Sequence, residues 1–276
     1  MKPTVAVEQL LHPASMQRLH KAARLQHHAY LLEGDSGLGT EQAAMWLLRQ
    51  QDPNLTDAEV AKVVPATSTV SIAQVRELIE HLWRTSARLD GIRAGVVMQA
   101  DRMSTEAANA LLKVLEEPPP HVVLVLVASS AERLPTTVRS RVLTIPLLPL
   151  DDQQIENFMQ AYGGVASEVV GLAQGLPLQA LELANSSEAL ELQRLRQQQV
   201  DSFLAGTVSD RFVAIAEIAK SGSPEQFVLG LLYTFGKKFS ILERSADVEV
   251  TLWCLRAIRA HVQPKLALEW LALKLS

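Results

Sequence analysis

The stretch STEAANALLKVLEEPPPHVVLVLVA, residues 104–128, decides the fold class. Its first half has the period of a helix. Ala107, Ala108, Leu111, Leu112 and Leu115 fall on one face, and Ser104 stands where an N-cap hydroxyl accepts from the first turn. Pro118, Pro119 and Pro120 end that helix, because proline lacks the N–H and its ring clashes with the preceding turn. Residues 121–128 then run through Val and Leu with no polar face. Such a strand is buried on both sides, which predicts a central place in a sheet covered by helices.

The rest of the first half alternates in the same way. Residues 12–26 read as a helix, residues 29–33 (AYLLE) as a short buried strand and residues 41–49 as a second helix. Residues 51–69 are polar, contain proline and read as a connector. Ile72, Val75, Ile79 and Leu82 mark another amphipathic helix. Residues 94–100 (AGVVMQA) give another strand, and residues 142–148 a further one weakened by Pro146. Strands separated by helices predict a parallel α/β sheet. Beyond Pro149 only helices are found. Asp151 caps one, Tyr162-Gly163-Gly164 breaks it, and Gly175-Leu176-Pro177 ends the next. Long helices follow, broken at Gly206, Gly222-Ser223-Pro224 and Pro264. Val248, Leu252, Leu255, Ile258 and Val262 are expected to form a core-facing stripe.

Composition narrows the function classes. With 48% hydrophobic and 20% charged residues in 276, the chain can bury a sizeable core and is not disordered. A formal charge of -4 makes the chain a poor stand-alone binder of nucleic acid, which normally shows a basic footprint, and leaves room for contact with DNA as one part of an assembly. Cys254 is the single cysteine, so no intrachain disulfide and no cysteine-based zinc site can form, and no metal is assigned. In TLWCLRAI it reads as a small buried thiol. No apolar run approaches the length that spans a bilayer, and MKPTVAVEQLLHP lacks the marks of a signal peptide, so the expected location is the cytoplasm.

One loop carries a chemical pattern. In GDSGLGT, residues 34–40, Gly34 and Gly39 hold the two glycine positions of the phosphate loop GxxxxGK[ST], between a strand and a helix. Thr40, however, replaces the lysine that neutralises the terminal phosphates, and Glu41 replaces the hydroxyl that holds magnesium. The residues alone leave two readings open. Gly34, Ser36, Gly37, Gly39 and Thr40 either offer backbone N–H groups to a nucleotide, or form an ordinary glycine-rich turn. The strand at residues 94–100 should end in magnesium-binding acids; Met98 and Gln99 stand there, and Asp101 comes too late for strand periodicity to restore the geometry. Losing the lysine, the hydroxyl and both acids together points to a site that does not hydrolyse.

HAYLLEGDSGLG, ADRMSTEAANALLKVLEEPPP and ERLPTTVRSRV, in that order, resemble the bacterial clamp-loader family, the AAA+ subunits of the DNA polymerase III holoenzyme. AANALLKVLEEPP is nearly a signature of that family, and QPKLALEWLALKL resembles the end of its collar domain. The resemblance implies a RecA-like AAA+ domain over residues 1–149, a small helical lid over 150–184 and an all-α collar for oligomerisation over 185–276. The missing lysine, acids and zinc cysteines set the chain apart from the ATP-hydrolysing tau/gamma type and make it similar to the delta prime-like branch. That branch implies a subunit without turnover, helping to load the sliding clamp on primed DNA in a five-membered ring with tau/gamma and delta, within a DNA-directed DNA polymerase (nucleotidyltransferase) assembly. No cofactor of its own is implied.

Ser140-Arg141-Val142 matches the family's Ser-Arg-Cys motif, which implies that Arg141 reaches a neighbouring subunit's ATP in trans. It follows the strongest strand by one loop, and strand C-terminal ends are where α/β folds present functional groups, so it is expected at that edge. Ser129 occupies the place of the family's polar sensor, or simply satisfies a loop backbone. Leu178 and Gln179 follow Pro177 where the second sensor's arginine is expected. Glu116 and Glu117 read as solvated charges. The competing reading is an active AAA+ ATPase of the tau/gamma or branch-migration type, against which Thr40, Met98 and Gln99 stand.

Overall fold

The structure is a computed structural model, and it describes residues 6–65, 69–84, 91–220, 224–238, 245–260 and 262–275. The elements run α1 (Val7–Leu10), α2 (Pro13–Arg24), β1 (Ala29–Glu33), α3 (Thr40–Gln51), β2 (Val60–Val63), α4 (Ile72–Trp83), β3 (Arg93–Val97), α5 (Thr105–Glu116), β4 (Val122–Ala128), α6 (Thr136–Arg139) and β5 (Leu143–Pro146). Helices alone follow: α7 (Asp152–Gln160), α8 (Ser167–Leu172), α9 (Pro177–Asn185), α10 (Ser187–Ala205), α11 (Val208–Lys220), α12 (Pro224–Lys238), α13 (Ser245–Arg259) and α14 (Pro264–Lys274). The chain divides into two compact units, Met1–Val165 with Gly175–Leu181, and Ala166–Gln174 with Glu182–Ser276. No helix among the described residues is long and apolar enough to cross a membrane.

The first unit is a five-stranded parallel sheet in the order β2-β3-β4-β1-β5, with β4 in the middle. Every residue of β4 is buried. Alternation splits it between two cores. Val123, Val125 and Val127 pack with Leu19 of α2 and Leu47 and Leu48 of α3, while Leu124, Leu126 and Ala128 pack with Leu78 of α4 and Leu111 of α5. That division is the period of two in a strand covered on both faces. Ser104 caps α5 through its hydroxyl, which accepts from the Ala107 N–H at 3.1 Å. Asp151 caps α7 in the same way, accepting from the Gln154 N–H at 2.8 Å.

Three expectations are corrected. Residues 51–69 are not only a connector: β2 lies within them and forms the sheet edge beside β3. VAKV is too short for periodicity to stand out between Glu59 and Pro65. The strand expected to reach residue 100 stops at Val97, and Gln99 turns the chain with φ 51. In the second unit the stripe on α13 is displaced by one row. Thr251, Cys254, Leu255 and Ile258 are buried, but Leu252 and Val262 are exposed. The polar pair Asp247 and Thr251 belongs to the buried face, where the Thr251 hydroxyl donates to the Asp247 carbonyl at 2.6 Å. The breaks expected at Gly222 and Ser223 lie outside the described residues.

The second unit packs around Phe203, Ile215, Leu231, Phe235, Cys254, Leu268 and Leu271. Burial pushes the Cys254 thiol up to about 12. Arg211 is buried, and its guanidinium donates to the carbonyls of Phe203 at 3.1 Å and Leu204 at 3.5 Å near the end of α10. It also reaches Ala272 at 3.4 Å and Leu275 at 2.9 Å at the end of α14. One cation thus satisfies the orphan carbonyls of two helix C-termini, where the macrodipole favours positive charge.

Candidate functional site

The phosphate-loop segment leaves β1 at Gly34, whose N–H donates to the Ala128 carbonyl of β4 at 2.9 Å. Residues Ser36–Leu38 form one turn of 3-10 helix, and Gly39 enters α3 with φ 81. The loop closes on itself. The Asp35 carboxylate accepts from the Gly37 N–H at 2.7 Å, the Asp35 carbonyl from Leu38 at 3.1 Å, and the Ser36 carbonyl from Gly39 at 3.2 Å. Three of the N–H groups that could face an anion are therefore engaged within the loop, one of them by a carboxylate.

Apolar side chains cover the same loop. A Cβ on Gly39 would lie 2.1 Å from Leu10 Cδ2, and one on Gly37 would lie 3.0 Å from the Leu176 Cβ. Leu10 belongs to α1, an element that the sequence reading missed because four residues show no periodicity. Thr40 is buried at 1% exposure, and Glu41 turns outward to pair with Lys62 of β2 at 2.5 Å. Met98, at the position of a magnesium-binding acid, packs into the core beneath the loop. Gln99 is exposed.

Asp101 and Ser129 come together at the C-terminal edge of the sheet. The Ser129 hydroxyl donates to Asp101 Oδ2 at 2.6 Å, its N–H lies 3.4 Å from Oδ1, and Arg133 Nη1 pairs with Oδ2 at 3.5 Å. The Asp101 side chain is 4% exposed. The Ser129 hydroxyl is thus engaged by a carboxylate side chain at the end of β4. Glu33, which spacing could not single out, joins the same loop by accepting from the Ala131 N–H at 2.8 Å. At Gly175, with φ 77, a Cβ would meet the Leu150 carbonyl at 2.5 Å, so the residue before Leu176 has to be glycine.

Arg141 is not at that edge. It precedes β5, and Tyr30 pairs with Leu143, so Arg141 is level with His28 at the N-terminal ends of the strands. Helix α6 carries the chain back across the sheet between Ser129 and Arg141, and this crossing is what the expectation omitted. Arg141 lines an open pocket with His27, His28, Leu115 and Glu116. Its Nη1 donates to the Thr137 carbonyl at 2.8 Å and the Ser140 hydroxyl at 3.2 Å, and its Nη2 pairs with Glu116 Oε1 at 2.7 Å. Glu116 is therefore an ion-pair partner, not only a solvated charge. Arg139 contacts the Thr136 hydroxyl at 3.4 Å. Among the described residues no group of three or more His, Cys, Asp or Glu side chains could hold a metal ion.

Residues 50–151 match the family model described as DNA polymerase III, delta subunit. The chain is 31% identical over 205 residues to a DNA polymerase III subunit delta' of Pseudomonas aeruginosa, covering 64% of this chain and 58% of that one. It is 26% identical over 227 residues to the subunit tau of Escherichia coli, covering 72% of this chain and 35% of that one. The chain thus spans about three fifths and about a third of the lengths of these curated relatives. A crystal structure of a DNA polymerase III, gamma subunit-related protein from Thermotoga maritima is similar with a TM-score of 0.50 at 20% identity, covering 93% of this chain and 98% of that one. At that identity the likeness is one of fold alone. The family match over residues 50–151 and these relatives make the chain similar to the delta' and tau subunits of DNA polymerase III.

Proposed function

We propose that the chain is a non-hydrolysing subunit of the DNA polymerase III clamp loader, assembling with tau/gamma and delta subunits to load the sliding clamp on primed DNA. The observation that carries this reading is the phosphate-loop segment. Three of its N–H groups are engaged internally, Leu10 and Leu176 lie against its glycines, and Thr40 supplies no charge. A transferring phosphoryl group needs cations and N–H donors aimed at its developing charge, and this loop brings no lysine and holds three of its N–H groups to itself. The chain contributes instead its fold, the apolar helices of its C-terminal part and Arg141. The division into an AAA+ domain (1–149), a lid (150–184) and a collar (185–276) belongs to the same proposal. Exposed Leu266 and Leu273 on α14 and Trp253 on α13 are apolar surface for collar contacts. The second reading is an active AAA+ ATPase of the tau/gamma type, against which Thr40, Met98 and Gln99 weigh.

Arg141 supports the in-trans role through its free valence. Five guanidinium N–H groups are available, and three are used by Thr137, Ser140 and Glu116. The remaining two can meet an anion on a neighbouring chain in a geometry that lysine cannot copy. The test is DNA-stimulated ATP hydrolysis by the reconstituted loader carrying Arg141→Ala or Arg139→Ala. In NTPases that depend on such an arginine its loss costs about 10³ or more in rate, diluted here by the loader's other sites. The first variant should assemble and hydrolyse slowly, and the second should match the wild type. Equal, near-wild-type rates in both would refute the role.

A further inference from the structure

We infer that Glu116 is the positioning residue for Arg141, an inference that rests on the in-trans role proposed for that arginine. A long arginine on a surface samples many rotamers, while a group that must meet a phosphoryl group on another chain has to be held to a fraction of an ångström. Two of the three anchors, the Thr137 carbonyl and the Ser140 hydroxyl, belong to the turn that carries Arg141 and move with it. Glu116, from α5, ties the guanidinium to a separate element of the sheet's covering layer at 2.7 Å.

Glu116 is itself held in place. It is the last residue of α5, and the preceding residue, Leu115, is buried at 3% exposure. The Leu115 carbonyl accepts a hydrogen bond from His28 Nε2 at 3.0 Å, joining the end of α5 to the start of β1. Pro118 prevents the helix from continuing past it. A carboxylate at a helix C-terminus is locally unfavourable, since that end carries partial negative charge. The guanidinium offsets this, so each charge accounts for the other's placement. The pair fixes the Arg141 guanidinium at the wall of the open pocket that His27 and His28 also line. Glu116 touches no substrate in this arrangement; it acts through Arg141.

The experiment uses the reconstituted loader with clamp and primed DNA, comparing E116A, E116Q and R141A in this chain. With Glu116→Ala, kcat should fall about tenfold, as a small misplacement of a reacting group produces, with KM for ATP and assembly unchanged. Glu116→Gln keeps an acceptor oxygen and should return most of the rate. If R141A is impaired while E116A hydrolyses at the wild-type rate or faster, the positioning role is overturned and the role of Arg141 stands. If R141A is also at the wild-type rate, the in-trans reading itself has failed. Should E116A not assemble, the isolated chain decides through the NMR order parameter of the Arg141 Nε–H bond, which reports picosecond-to-nanosecond motion. It should drop in E116A and recover in E116Q, and equal values in the wild type, E116A and E116Q would overturn the inference.

Discussion

Placing a methyl group on Gly39 probes the closed loop directly. Gly39 has φ 81 and ψ 37, and a Cβ there would lie 2.1 Å from Leu10 Cδ2 and 2.8 Å from Leu10 Cγ. Gly39→Ala therefore meets two separate penalties. The left-handed backbone costs an L-residue about 1–2 kcal/mol. Forcing the buried Leu10 side chain aside costs about 1–3 kcal/mol more, in the range of overpacked cores. Leu10 is 1% exposed, so Leu10→Ala alone should cost about 2–5 kcal/mol. In the double variant the clash is gone and only the backbone strain remains beside the lost packing. The two changes should then be less than additive by about 1–3 kcal/mol. Urea unfolding followed by far-ultraviolet circular dichroism gives the four stabilities of the cycle. A double variant whose cost equals the sum of the singles would show that Leu10 does not press on the loop.

Arg211→Met should destabilise the chain by about 3–5 kcal/mol, because it leaves buried carbonyls at the ends of α10 and α14 without a donor; Arg211→Lys should recover little, lacking the fork, and a melting temperature unchanged in the methionine variant would refute this. Cys254 makes a pH-dependent contribution. Its folded-state value is raised by burial from 9.0 to about 12, so the neutral thiol's contribution is whole below about pH 9 and is lost as pH rises toward 12. Cys254→Ala should therefore lose less stability between pH 9 and 11 than the wild type, and a parallel decline in both would contradict it. At pH 8 a thiol reagent should label Cys254 only as fast as the chain opens, and immediate labelling of the folded protein would refute its burial.

The stretch at residues 104–128 carried most of the fold because each local signal agreed with the next: cap, apolar face, proline stop and a strand apolar on both sides. The parallel sheet, the central place of β4 and the capped starts of α5 and α7 follow from such signals. Two elements of four residues, β2 and α1, left none. Strand β2 hides among polar neighbours, and α1 hides the Leu10 that covers the loop. The phosphate-loop residues were legible as a departure from a pattern, and so were Met98 and Gln99. What pattern could not supply was how the loop is occupied, because the Asp35 bond to the Gly37 N–H depends on backbone conformation. Arg141 was legible as a motif and misplaced as a position, since the crossing made by α6 is set by tertiary packing. The ion pair with Glu116 joins residues 25 apart in sequence through that crossing. On α14, the apolar character that resembled a collar surface is divided: Ala267, Leu268, Leu271 and Ala272 complete the unit's own core, and Leu266 and Leu273 remain outside. Removing the helix to test assembly would therefore remove part of that core as well.

The central claim is that this chain lends its fold and one arginine to a nucleotide that it does not itself turn over. Steady-state magnesium-dependent ATP hydrolysis by the isolated chain tests it most directly, measured beside the same chain with Gly37→Ala and Thr40→Ala changes in the loop. The account predicts no turnover above background in either, and no difference between them. Magnesium-dependent turnover by the unaltered chain that disappears in the loop variant, while the variant stays folded, would contradict it.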